Sequence, residues 1–143
     1  MFSTSNFVFP LEVTAKQDMQ VNDEFTQRLS MVMDSDDFLT TDITVNGQQY
    51  SNGDIVVITM SDCDEVKVGL IQTILIKGQS ISFACRVYQC TRHWLQYFES
   101  QQCLEDFAII EQSRLADYKP LIRRGTPVKF IFVLHHRVSV KYE

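Results

Sequence analysis

The amino-acid sequence predicts a mainly β domain with an N-terminal helix and short helical turns. From Asp42 onward, apolar and polar residues repeatedly alternate with a period of two, as they do on a strand with one buried face. The strand-like runs are bounded by turn signals, and the strongest of these is Asn46-Gly47, because both residues tolerate positive φ. With 143 residues, the chain has the length of one domain and can bury a core without disulfides.

The one helix predicted before these strands covers residues 22–33. Asn22 or Asp23 can cap its start, and the acidic stretch of residues 34–37 is expected to end it. One stripe of this helix carries three apolar side chains, those of Phe25, Leu29 and Val32. We therefore expect an N-terminal extension, residues 1–41, that contains this helix and precedes the β domain.

The segments predicted to be strands are residues 43–45, 48–50, 55–60, 66–76, 81–89, 107–110 and 128–134. Segment 66–76 is apolar on both faces and is therefore predicted to be central in a sheet. In segment 81–89 one face is apolar and the other carries Arg86 and Tyr88, so we expect this second face to lie open at a surface or groove. Residues 101–107 are predicted to form a turn or a short helix.

Charge is unevenly distributed along the chain. Residues 1–65 contain twelve acidic and two basic side chains, a net charge of −10, whereas residues 66–143 contain eleven basic and six acidic ones, a net charge of +5, and the whole chain carries −5. The overall pI of about 5.1 does not fit a domain that binds nucleic acid directly. Arg123 and Arg124 are a candidate contact for a phosphate or carboxylate group, and a solvated pair before Gly125 explains them equally well.

The chain shows no sign of a membrane or secreted protein. No apolar run is long enough to span a bilayer, and residues 1–10 lack the basic and apolar regions of a signal peptide, so we expect an intracellular protein. The cysteines form neither a CxxC pair nor a compact disulfide framework; they are Cys63, Cys85, Cys90 and Cys103. A zinc site built from the last three and His93 would lack the tight ligand pairs of structural zinc, so no metal is expected.

The sequence contains no catalytic signature. A GxSxG elbow, a phosphate-binding loop and an HExxH helix are absent, and the adjacent His135 and His136 would point to opposite faces of a strand. Cys90 and His93 are close in sequence, and a Cys–His nucleophile would require their alignment in space. We therefore expect a domain that is not an enzyme and that has no catalytic residue and no cofactor.

Aromatic residues concentrate between residues 88 and 98, and they are the candidates for a binding surface. Tyr88, Trp94 and Tyr97 belong to the residue types that anchor interfaces, and Arg86 would assist them. Aromatic cages of this kind hold alkylated ammonium groups by cation–π attraction. The alternative is that Trp94 and Phe98 fill the core.

The order of these elements resembles the bromo-adjacent homology (BAH) domain family. The segments that carry the resemblance are Ile43-Thr-Val-Asn-Gly-Gln-Gln-Tyr50 with Gly53-Asp54, Val68-Gly-Leu-Ile-Gln-Thr-Ile-Leu75, residues 83–89, Leu95-Gln-Tyr-Phe-Glu-Ser100, residues 107–110 and residues 130–136. They are similar to the family's opening hairpin with its Gly-Asp, to its later strands and to its Glu-Leu-Phe-(Phe/Leu)-Ser segment. Where the family has a tryptophan on its third strand, this chain has Arg86, and Tyr88 keeps one aromatic residue there.

The resemblance implies a twisted, barrel-like β domain, residues 42–143, that acts as a chromatin-associated protein-interaction module in the nucleus. The partner would be a protein or a peptide such as a histone tail, which some members recognise through a methylated lysine. One alternative is a structural or oligomerisation domain of a larger assembly, for example a homodimer. A Cys/His enzyme is a third alternative.

Overall fold

The protein is mainly β, as predicted, and one α-helix precedes most of its strands. The computed structural model describes residues 6–60, 65–92, 97–121, 124–125 and 130–132. The strands are β1 (Thr14–Ala15), β2 (Phe38–Thr40), β3 (Asp42–Val45), β4 (Gln48–Ser51), β5 (Ile55–Met60), β6 (Glu65–Lys77), β7 (Ser80–Arg92), β8 (Phe98–Glu111), β9 (Asp117–Leu121), β10 (Arg124–Gly125) and β11 (Phe130–Phe132). Helix α1 is Glu24–Val32, and short 3₁₀ turns are formed by Lys16–Asp18 and Gln112–Arg114.

The strands form one large antiparallel sheet and a separate hairpin. The large sheet has the order β1-β2-β6-β7-β8-β11-β10, and β5 pairs with both β6 and β9. The expected barrel-like closure is wrong for the described residues, because the sheet is open. Its terminal strands, β1 and β10, have two residues each and pair with β2 and β11 rather than with each other.

The predicted helix is confirmed, and a capping box fixes its start. The side chain of Asp23 accepts a hydrogen bond from the Thr26 backbone N–H at 2.8 Å, and Thr26 Oγ1 accepts one from the Asp23 N–H at 3.2 Å. At the other end, Lys16 Nζ donates to the carbonyl oxygen of Met33 at 2.9 Å. Leu29 and Met33 are buried, so α1 covers one face of the sheet.

The segment predicted as an N-terminal extension contributes strands to the same sheet as the later residues. β2 pairs with β6, where Leu39 lies opposite Leu75, and β1 pairs with β2. Leu39 and Leu75 also contact the buried side of α1 in one apolar cluster. Residues 14–40 therefore share both hydrogen bonds and core with β6.

The hairpin β3–β4 covers the opposite face of the sheet. Asn46 and Gly47 have φ values of 52° and 82°, which is the pair of positive values that a two-residue type I′ turn requires. Tyr50 is fully buried, and its ring centroid lies 4.9 Å from that of Phe83 on β7. The hairpin predicted from Asn46-Gly47 is thus confirmed, and it contributes Ile43, Val45 and Tyr50 to the apolar cluster on this face of the sheet.

The long strands β6 and β7 are central, and both of their faces are largely buried. The expectation that the Tyr88 face of β7 lies open was wrong. The end of that face near Tyr88 is covered by an apolar cluster that is separate from those under α1 and under the β3–β4 hairpin. Phe98, Phe130 and Phe132 belong to this cluster. Tyr88 itself is 4 % exposed.

The turn or short helix predicted for residues 101–107 was also wrong, because these residues belong to β8. β8 pairs with β7 along most of its length, and register shifts between Cys85 and Cys90 accommodate extra residues of β8 as bulges. Residues 101–106 are all exposed.

No helix in the described part of the chain is long and apolar enough to cross a membrane.

Candidate functional site

The structure brings two of the predicted binding residues, Arg86 and Tyr88, together. Arg86 is hydrogen-bonded to the hydroxyl of Tyr88, while the Tyr88 ring packs edge-on against Phe130 with 5.0 Å between the ring centroids. Burial raises the pKa of Tyr88, and the hydrogen bond from Arg86 opposes this shift. The ring of Tyr88 is therefore held in the core, and the charged group of Arg86 lies at its polar end.

The remaining predicted residues are placed less completely. Tyr97 is half-buried just before β8. Trp94 and Arg123 lie outside the described residues, as does the side chain of Arg124, whose backbone is part of β10. The binding role assigned to these side chains stays a prediction.

Sequence reasoning missed the neighbours that β8 brings to Arg86. Cys103 lies opposite Tyr88 across the β7–β8 ladder, and its Sγ lies 3.5 Å from Asp106 Oδ1. Burial and the adjacent Asp106 raise the pKa of the Cys103 thiol, so the nucleophilic thiolate is disfavoured at neutral pH. The bulges that create this neighbourhood depend on pairing with β7 and have no local sequence signal.

The Cys90/His93 alternative finds no support at Cys90. This residue is 0 % exposed, and burial raises the pKa of its thiol to about 12. Such a thiol is protonated at neutral pH and closed to substrates. His93 lies outside the described residues. Among the residues that the structure describes, no three potential ligands are grouped in a way that could hold a metal ion.

A different surface is formed by residues 8–11, which we call the N-terminal arch. Before the arch, Asn46 N–H donates to the carbonyl oxygen of Asn6 at 2.7 Å, and Phe7 forms an antiparallel bridge with Val45 of β3. After the arch, the carbonyl oxygen of Glu12 accepts a hydrogen bond from Thr40 Oγ1 at 3.1 Å. The arch is therefore tied to the hairpin at one end and to the sheet at the other.

The arch presents apolar side chains to solvent. Leu11 is 102 % exposed, Val8 75 % and Phe9 49 %. The Phe9 ring contacts Phe38 edge-on, with 5.5 Å between the ring centroids. Three large apolar side chains in four residues form a concentrated patch of the kind that partners cover.

Beneath the arch lies a cleft of about 420 Å³, which we call the arch cleft. Its lining consists of Val8, Phe9, Pro10, Leu11, Glu12 and residues 40–44. Among the residues that the structure describes, the charged side chains in this lining are the carboxylates of Glu12 and Asp42, and no lysine or arginine belongs to it. The cleft therefore combines apolar contact area with negative charge, and it lies in the acidic part of the sequence.

The exposed edge of β3 runs along this cleft. β3 pairs with β4 on one side, and on its other side the described residues provide a single bridge, from Phe7 to Val45. The chain then leaves β3 to form the arch, and residues 42–44 line the cleft. The edge is partly occupied there, because the carbonyl oxygen of Asp42 accepts a hydrogen bond from Thr40 Oγ1 at 3.2 Å. A second cavity, of about 410 Å³, adjoins the arch cleft at Thr40 and Thr41.

Comparisons of this chain with protein-family models, with curated proteins and with solved structures gave no match. The similarity to BAH domains thus rests on the short segments between residues 42 and 137.

Proposed function

We propose that this protein is a non-enzymatic interaction module that binds an extended, basic segment of a partner protein in the arch cleft. The observation that carries the proposal is the combination of exposed apolar side chains with the carboxylates of Glu12 and Asp42 around one cleft, whose described lining contains no basic residue. A chain rich in lysine or arginine complements this charge and brings aliphatic stems that cover apolar surface.

The edge of β3 supplies a mode of binding for such a segment. An extended peptide can add to a sheet edge through main-chain hydrogen bonds, while alternate side chains enter neighbouring pockets. The arch would then lie over the peptide, with Val8 and Leu11 covering it. Histone tails are basic and extended, and they are the partners that the BAH resemblance implies, so the proposed place of action is chromatin in the nucleus.

A titration of the protein with a lysine-rich histone-tail peptide tests this proposal. We expect the double variant Glu12→Gln/Asp42→Asn to bind about tenfold more weakly, because each exposed carboxylate contributes roughly 0.2–1 kcal/mol to such a contact. The difference should shrink at high salt, since exposed charges are screened.

The matched control is Asp36→Asn/Glu24→Gln, which removes two exposed carboxylates away from the cleft. It changes the net charge of the protein by the same amount. Equal affinities of the two double variants, or no binding at millimolar peptide, would contradict the proposal.

A second candidate function is a subunit of a larger assembly, and the exposed apolar residues on α1 favour it. Met31 is 77 % exposed and Val32 42 %, in addition to the apolar side chains of the arch. A self-associating protein would have a mass in solution of at least twice 16.6 kDa, and Met31→Ser would lower it. A monomer at high concentration would count against this second function and leave the first intact.

A further inference from the structure

The cavity beside the arch cleft has a different chemistry from the cleft itself. We call it the helix cavity, because it lies where the N-terminal half of α1 faces the sheet. Its floor is apolar and is formed by Met19, Phe25, Leu29 and Leu39. Leu29 and Leu39 are buried, while Met19 and Phe25 are half-buried and open to the cavity. A cavity of about 410 Å³ with such a floor is of the size and polarity that accommodates a large apolar group.

The charge of the helix cavity matches that of the arch cleft. Asp18 is the charged residue among the described residues of its lining, which include no lysine or arginine. Within the described part of the chain, the residues that line the two cavities therefore include three with carboxylates, Glu12, Asp18 and Asp42, and none with a basic side chain. The carboxylates of both cavities therefore favour a spanning ligand that carries a net positive charge.

The wall between the two cavities is held in place by hydrogen bonds. Thr73 Oγ1 on β6 donates to the carbonyl oxygen of Thr40 at 3.3 Å, and Thr40 Oγ1 donates to the carbonyl oxygen of Glu12 at 3.1 Å. This chain of contacts joins β6, β2 and the end of the arch. Because the wall is fixed before a ligand arrives, binding across it loses little conformational entropy.

We propose that the two cavities recognise two side chains of one extended peptide: the arch cleft takes a lysine or arginine, and the helix cavity takes a large apolar residue. This inference rests on the proposed function and adds a second determinant of specificity to it. In an extended peptide neighbouring side chains point in opposite directions, and residues at alternate positions enter pockets along one face. The ligand class is therefore a basic segment with an apolar residue close to its basic residue, rather than any polycation.

Short capped peptides test this inference on the unmodified protein. The first contains lysine and leucine in a threonine background, the second has serine in place of leucine, and the third has glutamine in place of lysine. We expect the leucine-to-serine change to weaken binding about tenfold with little dependence on salt, because it removes the burial of one large aliphatic side chain. The lysine-to-glutamine change should weaken binding in a way that high salt diminishes.

A variant of the protein tests whether the preference for leucine over serine arises in the helix cavity. Gln72 lines the helix cavity and is half-buried, so Gln72→Trp is expected to fill part of the cavity and to abolish the preference for leucine over serine. Gln79→Trp, in the exposed turn between β6 and β7, is the matched control and should leave the preference unchanged. The peptide series on the unmodified protein decides the question if Gln72→Trp does not fold.

The outcomes separate the inference from the proposed function. If the lysine–leucine and lysine–serine peptides bind equally, the helix cavity is not a specificity site, although the arch cleft still binds basic peptides. If the preference for leucine persists in Gln72→Trp, the inference is likewise overturned. If none of the peptides binds, the proposed function fails and the inference fails with it.

Discussion

Lys77 joins the end of α1 to the sheet, and its replacement is expected to weaken this junction. Its Nζ lies 2.5 Å from Asp37 Oδ2 and 3.4 Å from Asp34 Oδ2, and it also donates to the carbonyl oxygen of Val32 at 3.4 Å. The Asp37 side chain is 5 % exposed, and its carboxylate accepts a further hydrogen bond from the Asp34 N–H at 2.8 Å. Lys77→Met would leave this buried carboxylate without its cationic partner.

The size of the effect follows from the different exposure of the two side chains. Exposed ion pairs contribute roughly 0.2–1 kcal/mol, whereas removing one partner of a fully buried pair costs roughly 3–5 kcal/mol. The Lys77 side chain is 37 % exposed, so solvent screens part of the interaction. We expect Lys77→Met to lower the free energy of unfolding by about 2 kcal/mol, between these limits.

Urea unfolding at neutral pH measures this change as a shift of the midpoint at constant slope. The control is Lys67→Met, which makes the same substitution on the same strand at a half-buried lysine that forms no ion pair within the described residues. If both variants unfold at the same urea concentration, the junction does not stabilise the fold and the reasoning is refuted.

The interaction also predicts a pH dependence with a definite sign. The hydrogen bond to Asp37 raises the pKa of Lys77 above its ordinary value of 10.5. Because the folded state binds this proton more tightly than the unfolded chain, the stabilisation is fully present below pH 10.5 and is lost as the pH rises through the folded-state pKa. The difference in stability between the unmodified protein and Lys77→Met should therefore narrow in strongly alkaline solution.

Two further predictions concern the core and the thiols. A Cβ at Gly69 would lie 2.7 Å from Cys85 Sγ, so Gly69→Ala should destabilise the protein by about 1–3 kcal/mol through overpacking, and Cys85→Ala in the same chain should restore most of the loss in urea unfolding. Iodoacetamide should modify the exposed Cys103 of the native protein well before Cys85 and Cys90, whose pKa values burial raises to about 12, and peptide mapping by mass spectrometry would show the order. The rate at Cys103 should rise with pH above 9.0, because its pKa is also raised, and early modification of Cys90 would contradict its burial.

The features predicted correctly are those with a local physical cause. Asn46-Gly47 forms its turn because these residues tolerate positive φ, and α1 begins directly after Asp23 because the side chain of this residue caps it. The central position of β6 follows from apolar residues on both of its faces. Each of these signals is contained within a few neighbouring residues.

The features that were missed depend on contacts between distant parts of the chain. Tyr88 alternates with apolar residues in a way that suggests an open face, and it is buried because Phe130 packs on it from a strand some forty residues later. The bulges of β8 near Cys103 form because β8 pairs with the long strand β7 in this region. Neither partner is visible in the local pattern of residues.

The proposed binding site also combines features set by the local sequence with features set by long-range contacts. The sequence by itself determined that the first half of the chain is acidic and that residues 7–9 are apolar before a proline, since both properties belong to single residues. The tertiary structure decided that these features meet: the hydrogen bond from Thr40 to Glu12 and the bridge from Phe7 to Val45 hold the arch over the edge of β3. The cleft lies between segments that are distant in sequence, so its shape and charge arise when those segments fold against each other.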